Sequence, residues 1–445
     1  MDTTVRTYTR LAALAACLVA LAAAEAQPPP DALTLQAAGD YALAHNPELL
    51  ALAEEVRMAE ANVRLARAAD RLQASVNGYG SAGTTPNMVG NPMEVTPADM
   101  RMLDTGPRAV ADVRVTQSLS SGGRLSSRLR QRRHLLAATA ADLAALRLEV
   151  YYQTRAAYRR CLLRRKLVDA YRQDLAARQE LLRVDEVKLE AGKIPLYYYL
   201  RDKTRLAAAQ QQVVNAERDL EVSYYDLSVL LGLDRPQQLV LSDDLGYAPA
   251  EQESDEALAA SAADRPELAA VRERIAAAAA GIDAARAAYR PQLAATVIFD
   301  AMAGRGEPTG GYTAALVAAL PLADGGARAA EVAAAQAQQH QLTERERQLA
   351  LNIAREVLVA LANLKAADRN IRTALEARAA AEEDDRITRL RYDAGKAINL
   401  EPLDALAALV RARVDAVQAL YEYNDAVDQL QWAMGRPALA QTPGP

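Results

Sequence analysis

The residue types that most often carry out catalysis are few and scattered in this chain. Cys161 falls on the apolar stripe of a helical repeat, so it is expected to pack and not to act as a nucleophile. Gly122-Gly123 lacks the pattern of a phosphate-binding loop. The three histidines lie far apart without metal-ligand spacing: His45, His134 and His340. The sequence therefore predicts a protein that is not an enzyme and has no cofactor and no bound metal.

The first 26 residues predict an export signal. Arg6 and Arg10 precede an apolar stretch of about 14 residues, which is too short to span a bilayer as a helix. The sequence before Gln27 fits a small-x-small cleavage site ending at Ala26. A second interpretation is a lipobox that would make Cys17 a lipidated N-terminus. The apolar run continues past Cys17, which favours ordinary cleavage near Ala26.

The composition points to long helices that pack through small side chains. Hydrophobic residues make up 51% of the 445 residues, yet the chain has one Phe and one Trp. Alanine and leucine supply most of this hydrophobicity, and both favour helix. The formal net charge of −5 argues against nucleic acid as a partner, because nucleic-acid binding requires a clustered basic surface.

The chain contains an internal duplication. Pro47 recurs as Pro266 in similar surroundings, 219 positions later (266 − 47). Further along, the glycine landmarks recur 203 positions later (325 − 122): Gly122 as Gly325, Gly192 as Gly395, and Gly232 as Gly435. The separation changes because a loop of the first copy is shorter in the second. Landmarks in fixed register are not produced by an alanine-rich composition alone, so the sequence predicts two structural repeats.

Each repeat reads as a helix, two strands, a long helix, a turn and a returning helix. The first repeat is predicted to cover 33–236, with a helix over 35–71, strands near 72–82 and 109–120, and a long helix over 124–190. After a linker at 237–256, the second is predicted to cover 257–437, with strands near 293–303 and 312–322 and a long helix over 327–392; a tail follows at 438–445. Cys161, Val168 and Leu175 follow a seven-residue spacing that predicts coiled-coil packing.

Four strands are too few to cross a membrane alone. Beyond the export signal no apolar stretch is long enough for a transmembrane helix, so a membrane-spanning form would have to be a β-barrel. A closed barrel needs about eight strands, and open strand edges are not tolerated in lipid. A chain of this kind must therefore pool its strands with other copies if it spans a membrane.

The duplicated motifs resemble the TolC family of outer-membrane factors over roughly residues 33–437. The segments that carry the resemblance are Leu33-Thr34-Leu35 leading to Asn46-Pro47-Glu48-Leu49, Arg290-Pro291-Gln292-Leu293, the Gly-Gly pairs after the strands, and Tyr392-Asp393-Ala394-Gly395 followed by Leu403. The resemblance implies a homotrimeric α-helical barrel continuous with a twelve-stranded transmembrane β-barrel in the bacterial outer membrane and extending into the periplasm. It also implies docking onto a periplasmic adaptor (membrane fusion protein) bound to an inner-membrane pump of the RND, ABC or MFS type.

The resemblance implies a periplasmic gate near the tip turns at Gly192 and Gly395. In the family pattern, acidic residues six and nine positions after the tip glycine face the lumen, and here these are Glu401 and Asp404. The alternative is that Glu401 caps a helix whose first position is Pro402. Tyr392 matches a tyrosine that the family ties to an aspartate in the first turn. The matching position here is Tyr198, so the sequence predicts that this acid is missing.

Two alternatives remain open at the level of the sequence. A periplasmic coiled-coil adaptor or scaffold would also contain a helical hairpin, although the duplicated strand pairs speak against it. The substrate class is also open. Four methionines lie in one predicted loop and could bind Cu(I) or Ag(I): Met88, Met93, Met100 and Met102. We interpret them as apolar loop residues, since this loop is expected to face outside the cell.

Overall fold

The structure is a computed structural model of the chain. It describes residues 32–81, 108–235, 237–249, 265–304, 308–394, 396 and 400–436. Cys17, Gly395 and the methionine-containing loop lie outside these residues, and the expectations for them stay predictions.

The described part of the chain is mainly helical with a small antiparallel sheet, which confirms the predicted class. The first copy contains α1 (Leu35–His45), α2 (Pro47–Ala68), β1 (Gln73–Ser81), β2 (Arg108–Ser120), α3 (Arg124–Glu190) and α4 (Leu196–Leu230). The second contains α5 (Pro266–Arg286), β3 (Gln292–Ala303), β4 (Thr309–Ala319), α6 (Ala327–Asp393) and α7 (Leu400–Ala433).

The prediction of a single helix over 35–71 is wrong, because the helix is interrupted at Asn46. The Asn46 side-chain oxygen accepts a hydrogen bond from the Glu48 N–H at 2.9 Å, and its amide donates to the Leu230 carbonyl at 2.9 Å. Asn46 thus starts a new helix in the manner of an N-cap, and Pro47 stands where a helix tolerates proline. Residues 69–71 fall outside α2, which ends at Ala68.

Strand β4 lies earlier than the predicted 312–322. It pairs with β3 without interruption from Met302↔Thr309 to Gln292↔Ala319. The short connection between the strands allows pairing to begin at Thr309, and Pro321 cannot donate to a strand ladder. All neighbouring strands are antiparallel in the order β1-β2-β3-β4, so β1 and β4 are the two edges of the sheet.

Equivalent glycines of the two copies have nearly the same backbone conformation. The φ angle is +62° at Gly122 and +63° at Gly325, and it is +72° at Gly232 and +70° at Gly435. At Gly232 a side chain is also excluded by space, since a Cβ atom would lie 2.3 Å from the His45 carbonyl oxygen. Two of the three duplicated glycine landmarks are therefore duplicated turns in the described part of the chain.

The chain divides into two compact units. The strand unit contains residues 51–145 and 263–354 and includes the whole sheet. The helical unit contains the described residues of 1–50, 146–262 and 355–445.

The helical unit has a core of small and aromatic side chains. Cys161 and Val168 of the heptad stripe are buried, whereas Leu175 is only partly covered. Tyr158 is fully buried and donates a hydrogen bond to the Leu33 carbonyl at 2.7 Å. A second cluster joins α6 to α7 around Ile371 and Tyr423.

Candidate functional site

The sheet of the strand unit has a polar face. Its clearest row runs across all four strands, where Asn77, Asp112, Asp300 and Gly311 are register partners in turn. The Asn77 amide donates to the Asp112 carboxylate at 2.9 Å. Because successive residues of a strand point to opposite faces, the neighbouring row must lie on the other side of the sheet.

That neighbouring row is apolar. Val76, Val113, Phe299 and Tyr312 are register partners across the four strands. Within the single chain Val76 and Tyr312 are each 75% exposed and Phe299 is 51% exposed. A contiguous exposed apolar face of this kind marks a contact with lipid or with another protein. The two faces together make the sheet a candidate boundary between an apolar and an aqueous phase.

The long helix α3 ends in a turn that requires glycine. The Lys193 N–H donates to the Lys188 carbonyl at 2.8 Å, and the Gly192 N–H donates to the Leu189 carbonyl at 2.9 Å. This is the Schellman arrangement, and Gly192 has the positive φ of +67° that it needs. In the second copy Lys396 makes the corresponding bond to the Arg391 carbonyl at 2.8 Å.

Tyr392 has an acidic partner, Asp185, although the position that matches the family's aspartate is Tyr198. Its hydroxyl donates to Asp185 Oδ1 at 2.6 Å, and Lys188 Nζ lies 3.1 Å from the centre of its ring. The acid stands on α3 before the Gly192 turn, whereas Tyr198, the position that matches the family's aspartate, lies after the turn. Burial, followed by the hydrogen bond to Asp185, raises the pKa of Tyr392 well above its ordinary value. Burial also lowers the pKa of Lys188.

A signal for this partner was present in the sequence. Asp185 stands three residues after Leu182, at the second apolar position of the heptad. A carboxylate at such a position has to be hydrogen-bonded if it is buried. Asp185 is fully buried in the structure.

Glu401 and Asp404 lie at the beginning of α7. This helix already includes Leu400, so the alternative in which Glu401 caps a helix starting at Pro402 is wrong. Glu401 Oε2 lies 3.1 Å from Arg391 Nη1, and both side chains are partly exposed. Asp404 is exposed. An acid in the first turn also complements the helix dipole.

The sequence did not reveal a buried charged cluster between α3 and α7. Arg155 donates to Asp428 at 2.9 Å, Arg159 contacts the same carboxylate at 2.8 Å, and all three side chains are at most 4% exposed. Burial, and then the charge of Asp428, raises the pKa of the neighbouring Asp425. Both arginines lie more than 250 positions from Asp428 in the chain, so no local sequence pattern predicts this cluster.

Two of the candidate residues for catalysis, Cys161 and His134, have structural partners. The Cys161 thiol lies 3.2 Å from the Ser223 carbonyl, and burial raises its pKa to about 11. His134 Nδ1 lies 2.8 Å from a Glu273 carboxylate oxygen. Within the described ranges no group of three or more His, Cys, Asp or Glu side chains could hold a metal ion.

None of the helices in the described part of the chain combines the length and apolar character needed to cross a membrane.

Comparisons with known proteins agree with this architecture. A family model described as outer membrane efflux protein matches residues 39–233 and 257–436. Among solved structures, the chain is similar to a membrane protein from Pseudomonas aeruginosa, with 20% identity, a TM-score of 0.77, and coverage of 91% of this chain and 92% of that one. No curated protein matches the sequence.

Two further solved structures show the same fold. The outer membrane protein VceC from Vibrio cholerae has 18% identity and a TM-score of 0.74, with coverage of 90% of this chain and 96% of that one. The open state of the MtrE outer membrane channel from Neisseria gonorrhoeae has 20% identity and a TM-score of 0.74, with coverage of 91% and 89%. The resemblance to TolC-type outer-membrane factors is thereby confirmed, and the chain belongs to the outer membrane efflux protein family.

Proposed function

We propose that this chain is the subunit of an outer-membrane exit duct in a tripartite efflux or secretion system. Substrates pass through the duct unchanged, from a periplasmic adaptor (membrane fusion protein) and an inner-membrane pump of the RND, ABC or MFS type to the outside. The observation that carries the proposal is the two-faced sheet with open edges. Its apolar row suits lipid and its polar row suits a water-filled lumen.

The sheet also argues for a trimer. A chain with four strands leaves β1 and β4 as edges, and edge N–H and C=O groups cannot remain unpaired in hydrocarbon. Three copies supply twelve strands, which close into a barrel wide enough for a channel. The export signal at 1–26 is removed before assembly, and the repeats at 33–236 and 257–437 each contribute one strand hairpin.

The tip turns at Gly192 and Gly395 form the adaptor-facing end, and the gate lies beside them. The hydrogen bond from Tyr392 to Asp185 holds the end of α6 against α3 in the closed state. Glu401 and Asp404 of three chains form an acidic ring that attracts cations and resists anions.

Reconstitution tests the proposed function directly. The protein is extracted from outer-membrane fractions with detergent, weighed by native mass spectrometry and inserted into planar lipid bilayers. We expect a mass of three chains and discrete conductance steps. A helical monomer released by osmotic shock without detergent would contradict the proposal and favour a periplasmic adaptor or scaffold.

A further inference from the structure

We propose that the internal duplication specifies, residue by residue, how the open edges of one chain meet a second copy of the same chain. This inference rests on the oligomeric channel proposed above and adds which residues meet. Two contacts between chains follow from it: an ion pair between Glu55 and Arg345, and an apolar contact between Tyr225 and Leu358.

The first step is the seam inside the chain. Strand β2 of the first copy pairs with β3 of the second, and we call this contact between the copies the inner seam. Residues of β2 correspond to β4 residues 203 positions later, and residues of β3 correspond to β1 residues 219 positions earlier. Because β4 corresponds to β2 and β1 corresponds to β3, the equivalent contact pairs β4 of one chain with β1 of another. This contact between chains is the outer seam.

The register passes an independent check. Val115 pairs with Val297 in the inner seam, and the equivalent pair of the outer seam is Ala318 with Gly78. Gly78 lies two residues from Val76, and Ala318 lies an even number of residues from Tyr312. Both residues therefore belong to the apolar face. A shift by one residue would place an apolar face against a polar one.

The second step is a reversed pair of charges on the helices of the strand unit. In the inner seam, Arg274 on α5 forms an ion pair with Asp142 on α3. The equivalent position of Arg274 is Glu55, and that of Asp142 is Arg345. The signs are exchanged, yet the pair remains complementary.

Glu55 and Arg345 are available for this contact. Both side chains are exposed, and neither forms an ion pair with any residue in the described ranges. The helices that bear them, α2 and α6, connect to the two edge strands β1 and β4, which do not pair with each other within the chain. An ion pair between them within one chain is therefore not expected.

The third step concerns the helical unit. Here the positions of the outer seam that correspond to a charged pair of the inner seam carry apolar and aromatic side chains. The buried partners Arg155 and Asp428 of the inner seam correspond to Leu358 and Tyr225. Leu358 is 62% exposed and Tyr225 is 38% exposed in the single chain. Two neighbours of Tyr225 on α4 continue the patch: Val222, 47% exposed, and Val229, 64% exposed.

The occupant that this patch fits is a second copy. Its two halves lie on α4 and α6, and the counterparts of Tyr225 and Leu358, which are Asp428 and Arg155, are buried against each other in the inner seam. The α6 half of one chain can therefore pack against the α4 half of a neighbouring chain.

Cross-linking tests the ion pair. Glu55→Cys with Arg345→Cys is prepared in the full chain, purified in detergent and treated with a short bismaleimide. We expect covalent dimers and trimers on denaturing gels, which neither single variant forms. The native residue Cys161 is buried and serves as the background in all three proteins. Products confined to the mass of one chain would overturn the assignment.

Charge reversal tests the same contact without cysteines. Glu55→Arg or Arg345→Glu alone should raise the dissociation constant of the assembly by roughly fivefold, the scale of an exposed ion pair. The double reversal should restore the wild-type value. Glu55→Arg with Arg347→Glu is the mismatched control, because Arg347 corresponds to Ala144 in the inner seam and should give no rescue. Equal rescue by both double variants would contradict the proposal.

The apolar contact has its own test. Leu358→Cys with Tyr225→Cys should cross-link between chains, and Leu358→Asp should weaken assembly. Native mass spectrometry of the wild-type protein separates the two levels of failure. A wild-type monomer would reject the oligomeric channel itself, whereas a wild-type oligomer without these cross-links would reject only the register.

Discussion

The inner seam and the open edges of the chain share one backbone design but differ in their surroundings. At the inner seam a Cβ atom on Gly122 would lie 2.7 Å from Arg290 Cβ, whereas one on Gly325 would meet nothing within 4 Å. Their φ angles nevertheless agree within a degree. The backbone of this turn is therefore the same in both copies, although the surroundings of the two glycines differ.

The chemistry of the two regions follows from how each is assembled. Buried ion pairs require both charges in place, because an unpaired buried charge costs several kcal/mol. Arg155 and Asp428 belong to one chain and meet whenever it folds. At an open edge, charges in these positions would be unpaired until a partner arrives. Leu358 and Tyr225 avoid that cost, and covering their apolar surface would lower the free energy of the assembled state.

The largest expected difference is in the loss of stability caused by substituting Asp428 and its edge counterpart, Tyr225. Asp428→Ala removes the carboxylate that Arg155 and Arg159 both contact, and we expect a loss of about 3–5 kcal/mol in the free energy of unfolding. Tyr225→Ala should change the stability of the dissociated chain by less than about 1 kcal/mol and act mainly on assembly. Urea unfolding followed by circular dichroism in detergent measures both. Equal losses would remove the distinction between the two regions.

The tip provides the next test, since Tyr392 and Asp185 join α6 to α3. Tyr392→Phe removes a hydrogen bond to a carboxylate, so we expect the open state to gain about tenfold in population. Asp185→Asn should act in the same direction. Single-channel recording gives the open fraction. Tyr197→Phe, at an exposed tyrosine near the same turn, is the control, and a similar gain in that variant would argue against a specific latch.

Smaller changes are expected at the acidic residues of α7. Glu401→Gln with Asp404→Asn removes two carboxylates per chain, so block of the channel by divalent cations should weaken by several-fold. Titration of single-channel current with the cation measures the effect. Glu422→Gln, on an exposed part of the same helix, should leave block unchanged. Unaltered block in the double variant would reject the acidic ring.

The last prediction concerns the pH dependence of stability, to which Asp425 should contribute and its edge counterpart should not. The pKa of Asp425 is raised by burial and by Asp428, so folding favours its protonated form. Its contribution to stability is therefore present below the ordinary pKa near 3.8 and is lost as pH rises through the raised value. Asp425→Asn should flatten this dependence in unfolding experiments across acidic pH. The edge counterpart Val222 does not titrate, and its substitution by Ala should leave the slope unchanged.

The sequence predicted features that depend on local pattern. Repeated glycines predicted turns, and the alternation of strand residues predicted the two-faced sheet. The heptad spacing predicted the burial of Cys161 and Val168, although Leu175 is only partly covered. The sequence failed where contacts join distant residues. The cluster at Asp428 depends on a pairing of α3 with α7 that no short motif encodes, and the partner of Tyr392 lies at Asp185, not at the position that matches the family's aspartate.

The equal lengths of the two long helices carry an evolutionary consequence. α3 and α6 each contain 67 residues, and both end in the same turn. A deletion of one heptad in α3 alone would move its tip by about 10 Å relative to the unchanged α6. We therefore expect a change in the length of one long helix to be matched at the equivalent place in the other, so that homologues of different length differ by paired insertions or deletions.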